Sequence, residues 1–275
     1  MNLKSQTIFT VKRLVFTSVA LQRDVLLDCY YPLHTYTDKN LPLLLINDGQ
    51  DLVNMPYTEI LEDSFINGDM SPIFSVGIHC AADRKNEYGT ADVLDYKGRG
   101  AKAKLYRTFL IKELLPFLKD KFSMYSFKDV SLAGFSLGAL SAVDIVWSSP
   151  GIFKNLGAFS GSFWWRDKSF EDETFDEEKN RIMHKLVRDG KYQKQLKMFF
   201  QVGTDDETQD RNNNGVIDSI DDTLSLIAEF VKKGYSEKQI NYLELIGGRH
   251  DVPTWANALP NFLKYCWGNE EKNAS

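Results

Sequence analysis

The chain has 275 residues, 43% hydrophobic and 26% charged, with a formal net charge of −5. This is the make-up of one ordinary globular domain with room for a large core, and without basic tracts to neutralise phosphates it is not expected to bind nucleic acid. No apolar run reaches bilayer length, and three scattered cysteines, Cys29, Cys80 and Cys266, are too few for a disulfide framework or a zinc site and are expected as buried thiols.

Along the chain, Lys12-Arg13 before the apolar stretch 14–20 faintly resembles the start of a leader. That stretch is broken by Thr17 and Ser18 and enters Gln22-Arg23-Asp24 without a cleavage site, so a strand is expected there and the cytoplasm is the default location. Further strands are expected at 25–31, 43–47, 73–78, 130–133, 156–159, 198–202 and 241–246, several of them almost wholly apolar, as strands covered on both faces are. Helical spacing covers 102–121, with Pro116 as a kink, then 219–233, stopped by Gly234, and 254–267, preceded by Pro253. Strands alternating with helices imply an α/β fold, a mostly parallel central sheet with helices on both faces. No repeat or low-complexity linker divides it.

The sharpest chemical signal is Gly134-Phe135-Ser136-Leu137-Gly138, entered from an apolar strand and followed by the small residues Ala139 and Ala142. That is the pattern of a nucleophile elbow, where glycines on either side let a tight strand-to-helix turn raise a serine Oγ above the sheet. Ser136 is therefore the expected nucleophile. In the order serine, acid, histidine, the base is His250, in the loop between the last strand and the last helix. His79 precedes the serine, and His34 and His184 read as solvated imidazoles. The acid lies among Asp205, Asp206 and Glu207, with Asp206 preferred. An oxyanion needs two backbone N–H donors: Leu137 supplies one, and Gln50, after the turn residues Asp48-Gly49, is the candidate for the other.

With these residues placed, the chain resembles the esterase family of α/β-hydrolases that includes enterochelin-esterase-like enzymes, S-formylglutathione hydrolases and feruloyl or acetylxylan esterases. The resembling stretches are Asn47-Asp48-Gly49-Gln50-Asp51, Tyr96-Lys97-Gly98-Arg99-Gly100-Ala101-Lys102-Ala103, Glu113-Leu114-Leu115-Pro116-Phe117, the elbow, Phe159-Ser160-Gly161-Ser162-Phe163-Trp164-Trp165, and His250 with Trp255 and Leu259-Pro260. The resemblance implies a single α/β-hydrolase domain over residues 1–275 and two-step acyl transfer to water by Ser136 and His250. It also implies an acid in the 203–207 segment and an oxyanion donor after Asp48-Gly49. Ala139 departs from it, since many relatives carry glycine there.

Downstream, Asp210, Asn212, Asn214, Val216, Asp218 and Asp221 fall at the ligand positions of an EF-hand calcium loop, with Gly215 at its obligatory sixth place. Asp221 replaces the usual glutamate and the upstream flank is not a helix. A structural calcium and a simple Asn/Gly turn are both open at this point. Phe163-Trp164-Trp165 reads as core, with one tryptophan able to wall a pocket. The acidic stretch 171–178 reads as a solvated face, unwelcoming to a highly anionic siderophore. Arg84, Glu87, Tyr88 and Arg99 are open between substrate contacts and internal pairs. The expected function is serine carboxylic-ester hydrolysis of a small-molecule or glycan ester, with no cofactor required. The alternatives are an acyltransferase of the same fold and a calcium-stabilised, non-catalytic binding module.

Overall fold

The computed structural model describes residues 7–33 and 39–268. Eight strands, β1 (Phe9–Ser18), β2 (Arg23–Pro32), β3 (Asn40–Asn47), β4 (Phe74–Ile78), β5 (Ser126–Phe135), β6 (Asn155–Phe159), β7 (Lys197–Asp205) and β8 (Ile240–Arg249), form one sheet in the order β1-β2-β4-β3-β5-β6-β7-β8. The helices are α1 (Tyr57–Ile66), α2 (Arg84–Glu87), α3 (Ala103–Thr108), α4 (Leu115–Lys121), α5 (Leu137–Trp147), α6 (Glu177–Asn180), α7 (Ile182–Asp189), α8 (Asp218–Lys232) and α9 (Val252–Trp267). No helix among the described residues is long and apolar enough to cross a membrane.

The expected parallel sheet is present from β4 to β8. Its other edge is antiparallel, because the four residues between β1 and β2 are too short for anything but a hairpin, and β2 then pairs antiparallel with β4. The side-chain period of two sorts β3 into two cores. Leu43 and Leu45 meet Tyr106, Phe109, Leu140 and Val143 on one face, while Leu44 and Ile46 join Leu61, Leu259 and Phe262 on the other.

The 102–121 helix is interrupted differently from the simple kink expected at Pro116. A wide π-helical turn occupies Phe109–Leu114, between α3 and α4. Pro116 stands in the first turn of α4. Proline has no N–H and its ring crowds the preceding turn, so a wider turn before it removes the clash. Within that turn Glu113 accepts hydrogen bonds from Ser18 Oγ at 2.6 Å and Ala20 N–H at 2.9 Å, which clamps the β1–β2 hairpin to the body of the fold. Among the cysteines Cys29 is buried as expected, whereas Cys80 and Cys266 are only partly covered; all three are free thiols.

Candidate active site

Ser136 sits between β5 and α5 with φ 55° and ψ −121°, a conformation held by its surroundings. Its N–H donates to Phe159 O at 2.9 Å. The flanking glycines are required sterically. A Cβ on Gly134 would lie 2.4 Å from Gly138 O, and one on Gly138 would lie 2.5 Å from Asp48 Oδ2. Ala139 and Ala142 are fully buried, so the methyl of Ala139 is accommodated.

The last two strands deliver the partners. Gly203 and Gly248 come so close that a Cβ on Gly203 would be 2.2 Å from Gly248 O. The β7–β8 register then shifts between Gly203 and Asp205. Such a bulge re-aims side chains: Asp205 is exposed, while Asp206 turns inward with its side chain only 1% accessible. His250 Nδ1 lies 3.3 Å from Asp206 Oδ2 and its Nε2 lies 2.9 Å from Ser136 Oγ. Glu207 is held elsewhere, its carboxyl pushed up in pKa by burial. The structure therefore brings Ser136, His250 and Asp206 together and leaves Asp205 and Glu207 outside the line.

One residue of this line had no individual signal in the sequence. Ser160 Oγ donates to Asp206 Oδ1 at 3.1 Å and accepts from Trp255 Nε1 at 3.0 Å. Trp255 in turn packs edge-on to the His250 ring, 5.4 Å between centroids. Ser160 adopts φ 46°, which aims its hydroxyl across to the β7 loop.

The donors expected for an oxyanion lie at two element starts. Leu137 opens α5 and Gln50 is second in the short 3-10 turn Gly49–Asn54, positions whose N–H groups have no acceptor within their own helix. That turn is fixed against the elbow. Asn47 Nδ2 donates to Gly138 O at 2.8 Å, and Arg84 grips buried Asp48 with two bonds of 2.7 Å. The Gln50 side chain is itself tied down, accepting from Cys80 N–H and donating to Asp48.

Arg84, Glu87, Tyr88 and Arg99 resolve as internal contacts. Arg84 pairs with Asp48, Glu87 with Arg23 and Arg99 with Asp95, and Tyr88 Oη accepts from Asp48 N–H. His79 contacts Asp28 at 2.7 Å, away from Ser136. His34 lies outside the described residues. His184 corrects the reading of a solvated imidazole: α7 packs on α8, burying it beside Ser225 Oγ at 3.0 Å. Burial, with Arg181 nearby, holds its pKa well below the usual histidine range. The 171–178 stretch is not wholly a solvated face either. Asp176 caps α6, and Glu177 pairs with Arg181 and Arg211. Phe163 and Trp165 are core, whereas Trp164 is partly exposed and lines a cavity.

The 210–221 loop is closed by its own hydrogen bonds. Asp210 accepts from Asn214 and Gly215 N–H, Asn214 from Val216 N–H, and Asp221 from the Asn212 amide. Asp218 accepts from the N–H of Arg211, whose guanidinium also reaches buried Asp222 on α8. Among the described residues no three His, Cys, Asp or Glu side chains gather as a metal cluster.

A family model described as "Putative esterase" matches residues 18–266. The chain belongs to that esterase family. Its fold is similar to the enterobactin esterase FES from Shigella flexneri, at 18% identity and TM-score 0.69, covering 92% of this chain and 58% of that one. It is also similar to the siderophore hydrolase EstB from Aspergillus nidulans, at 16% identity and TM-score 0.72 over 94% of each chain. A ferulic acid esterase matches at 16% identity and TM-score 0.68, covering 94% of this chain and 98% of that one. This family member thus spans 58% of the length of the enterobactin esterase. No curated protein matches the sequence.

Proposed function

We propose that this protein is a serine carboxylic-ester hydrolase in which Ser136 is the nucleophile, His250 the general base and then acid, and Asp206 the group that orients the imidazole. The observation that carries this reading is the continuous line from buried Asp206 through His250 to Ser136 Oγ, at 3.3 Å and 2.9 Å. As Ser136 Oγ attacks the ester carbon, its proton passes to His250 Nε2, and the Asp206 carboxylate balances the imidazolium. The carbonyl oxygen, now anionic, is received by the N–H groups of Leu137 and Gln50. His250 returns the proton to the departing alkoxide, leaving an acyl-Ser136 ester. A water that gives its proton to the same nitrogen then releases the acid and regenerates the serine. The substrate class is a small ester or one linked to an aryl or carbohydrate group.

A structural calcium in the 210–221 loop is part of the proposal, held by side-chain oxygens of Asp210, Asn212, Asn214, Asp218 and Asp221 with the Val216 carbonyl. The ligand spacing supports it. Its place would be to stiffen the segment after Asp206, with no part in the reaction.

Hydrolysis of p-nitrophenyl esters from acetate to octanoate, with feruloyl esters alongside, tests the enzymatic reading. Turnover that disappears in Ser136→Ala is expected. Folded protein inactive across the series, or activity surviving that substitution, would overturn it.

A further inference from the structure

The loops after β4, β6 and β7 leave the same edge of the sheet as Ser136 and His250, the edge where open α/β sheets bind ligands. Together they line an open cavity of about 310 Å3. Two lining residues belong to the loops already in use: Trp164 is four residues past Ser160, and Glu207 adjoins Asp206. The cavity thus shares the loops that carry Ser160 and Asp206, which places it on the side of the sheet where an arm of the ester would extend.

Its charges are unevenly matched. Arg99 pairs with Asp95, and Arg211 with Asp218 and Asp222. Arg166 has no carboxylate within ion-pair distance among the described residues, and its Nε is buried with no hydrogen-bond partner. Its guanidinium lies 3.4 Å from the Phe170 ring centroid and 5.0 Å from that of Tyr96, with one N–H donating to Trp164 O at 3.2 Å. Lys97, 5.3 Å from the Tyr96 ring centroid, adds a second positive charge without an ion pair among the described residues. A partly buried guanidinium without a counter-ion is costly, and the planar N–H fork it offers matches a carboxylate. Tyr96 and Phe170 hold the Arg166 guanidinium by cation–π contact, and the partly exposed Trp164 adds an aromatic edge to the lining that a substrate ring can meet. Glu207 in the same lining opposes a multiply charged ligand and favours a single anionic group.

We propose that this cavity is a specificity subsite that takes a carboxylate carried on an aromatic arm of the ester substrate, with Arg166 as its principal donor and Lys97 as a supporting charge. Its role in turnover rests on the esterase reading; its binding chemistry does not. No covalent step is involved.

The test separates the two. Binding of 4-hydroxycinnamate and of its neutral amide to Ser136→Ala is measured by calorimetry, which needs no hydrolysis. The acid is expected to bind about tenfold or more tightly than the amide. Arg166→Gln in the same background should bring the two affinities together, and Lys97→Gln should narrow the gap by a smaller factor. Equal binding of acid and amide, or a preference that survives Arg166→Gln, overturns the proposal even in an active esterase. If Arg166→Gln does not fold, as judged by circular dichroism, Lys97→Gln and a salt titration decide, the preference being expected to shrink with each. In the wild type, kcat/KM for 4-acetoxycinnamate over 4-acetoxycinnamamide should show the same ratio. Absence of all turnover alongside selective binding would sink the esterase reading and leave the subsite standing.

Discussion

Replacing Ser160 with alanine removes the one hydroxyl that joins Trp255 to Asp206. The Asp206 side chain is 1% accessible, so water does not readily replace the lost donor. A hydrogen bond to a buried charge is worth about 1.5–3 kcal/mol, and each 1.4 kcal/mol of transition-state stabilisation is about tenfold in rate. If the bond serves to hold Asp206 against His250, kcat should fall by about ten- to hundredfold, with KM changing by less than about twofold. Stability also falls, because the indole N–H of Trp255 loses its acceptor. Ser160→Gly separates these effects. It lacks the same hydroxyl, yet glycine tolerates the φ of 46° at which Ser160 is held, recovering about 1 kcal/mol and roughly 2 °C in Tm. Steady-state kinetics on p-nitrophenyl acetate with thermal melts of both variants should show equal loss of kcat and unequal Tm. Wild-type kcat in either variant, or kcat that recovers together with Tm in Ser160→Gly, would refute the positioning role.

Asp144, buried in α5, has its pKa pushed up to about 7 by desolvation, against the opposing influence of the Ala91 N–H and Arg107. A carboxyl raised in the folded state stabilises fully below its unfolded pKa near 3.8, and that contribution is lost as pH rises through about 7. Asp144→Asn should therefore flatten the fall in Tm between about pH 4 and 7 and be the more stable protein at pH 8, by at most about 4 kcal/mol; a parallel pair of pH profiles would contradict this. Gly138→Ala forces a methyl against Asp48, which Arg84 prevents from retreating, so a cost of about 1–3 kcal/mol and a loss of kcat/KM of at least about tenfold are expected, read by melts and kinetics. Near-normal activity in that variant would show that the turn at Asp48-Gly49 does not depend on this contact. Calcium is expected to raise Tm against EGTA, by a stability gain of about 2.7 kcal/mol at a hundredfold excess over Kd, and Asp210→Ala should abolish the gain. Equal melts with and without calcium would remove the ion from the account.

Strands buried on both faces are legible in the sequence because no charged residue interrupts them: β3, β4 and β6 lie within three residues of the expected bounds. The start of the edge strand β1 is hidden in the sequence because Val11, Lys12 and Arg13 are exposed in succession with no buried face to mark them, and Arg13 finds its counter-charge only across the hairpin, on Asp28 at 2.7 Å. The widened turn over Phe109–Leu114 was invisible because its residues are ordinary helix formers; only Pro116, whose ring and missing N–H the wide turn accommodates, hinted at it.

The site divides in the same way between local and distant causes. Ser136 could be read because the elbow is a steric requirement within five residues, and each glycine answers to a contact under 3 Å. The choice among Asp205, Asp206 and Glu207 depends on a register shift against β8, a strand some forty residues downstream, so spacing alone could not make it. Ser160 depends on distance still more. Its left-handed backbone, an aspartate 46 positions away and an indole 95 positions away must all be in place before its hydroxyl has a purpose. Arg166 shows the converse. In the sequence it is one more surface cation after an aromatic run, and only the packed loops reveal that Glu177, Asp218 and Asp222 are committed to other arginines. A charge left over when its neighbours are paired is a property of the whole fold. That is why the substrate's polarity is to be sought at Arg166, whereas the reaction could be sought at Ser136 from the sequence alone.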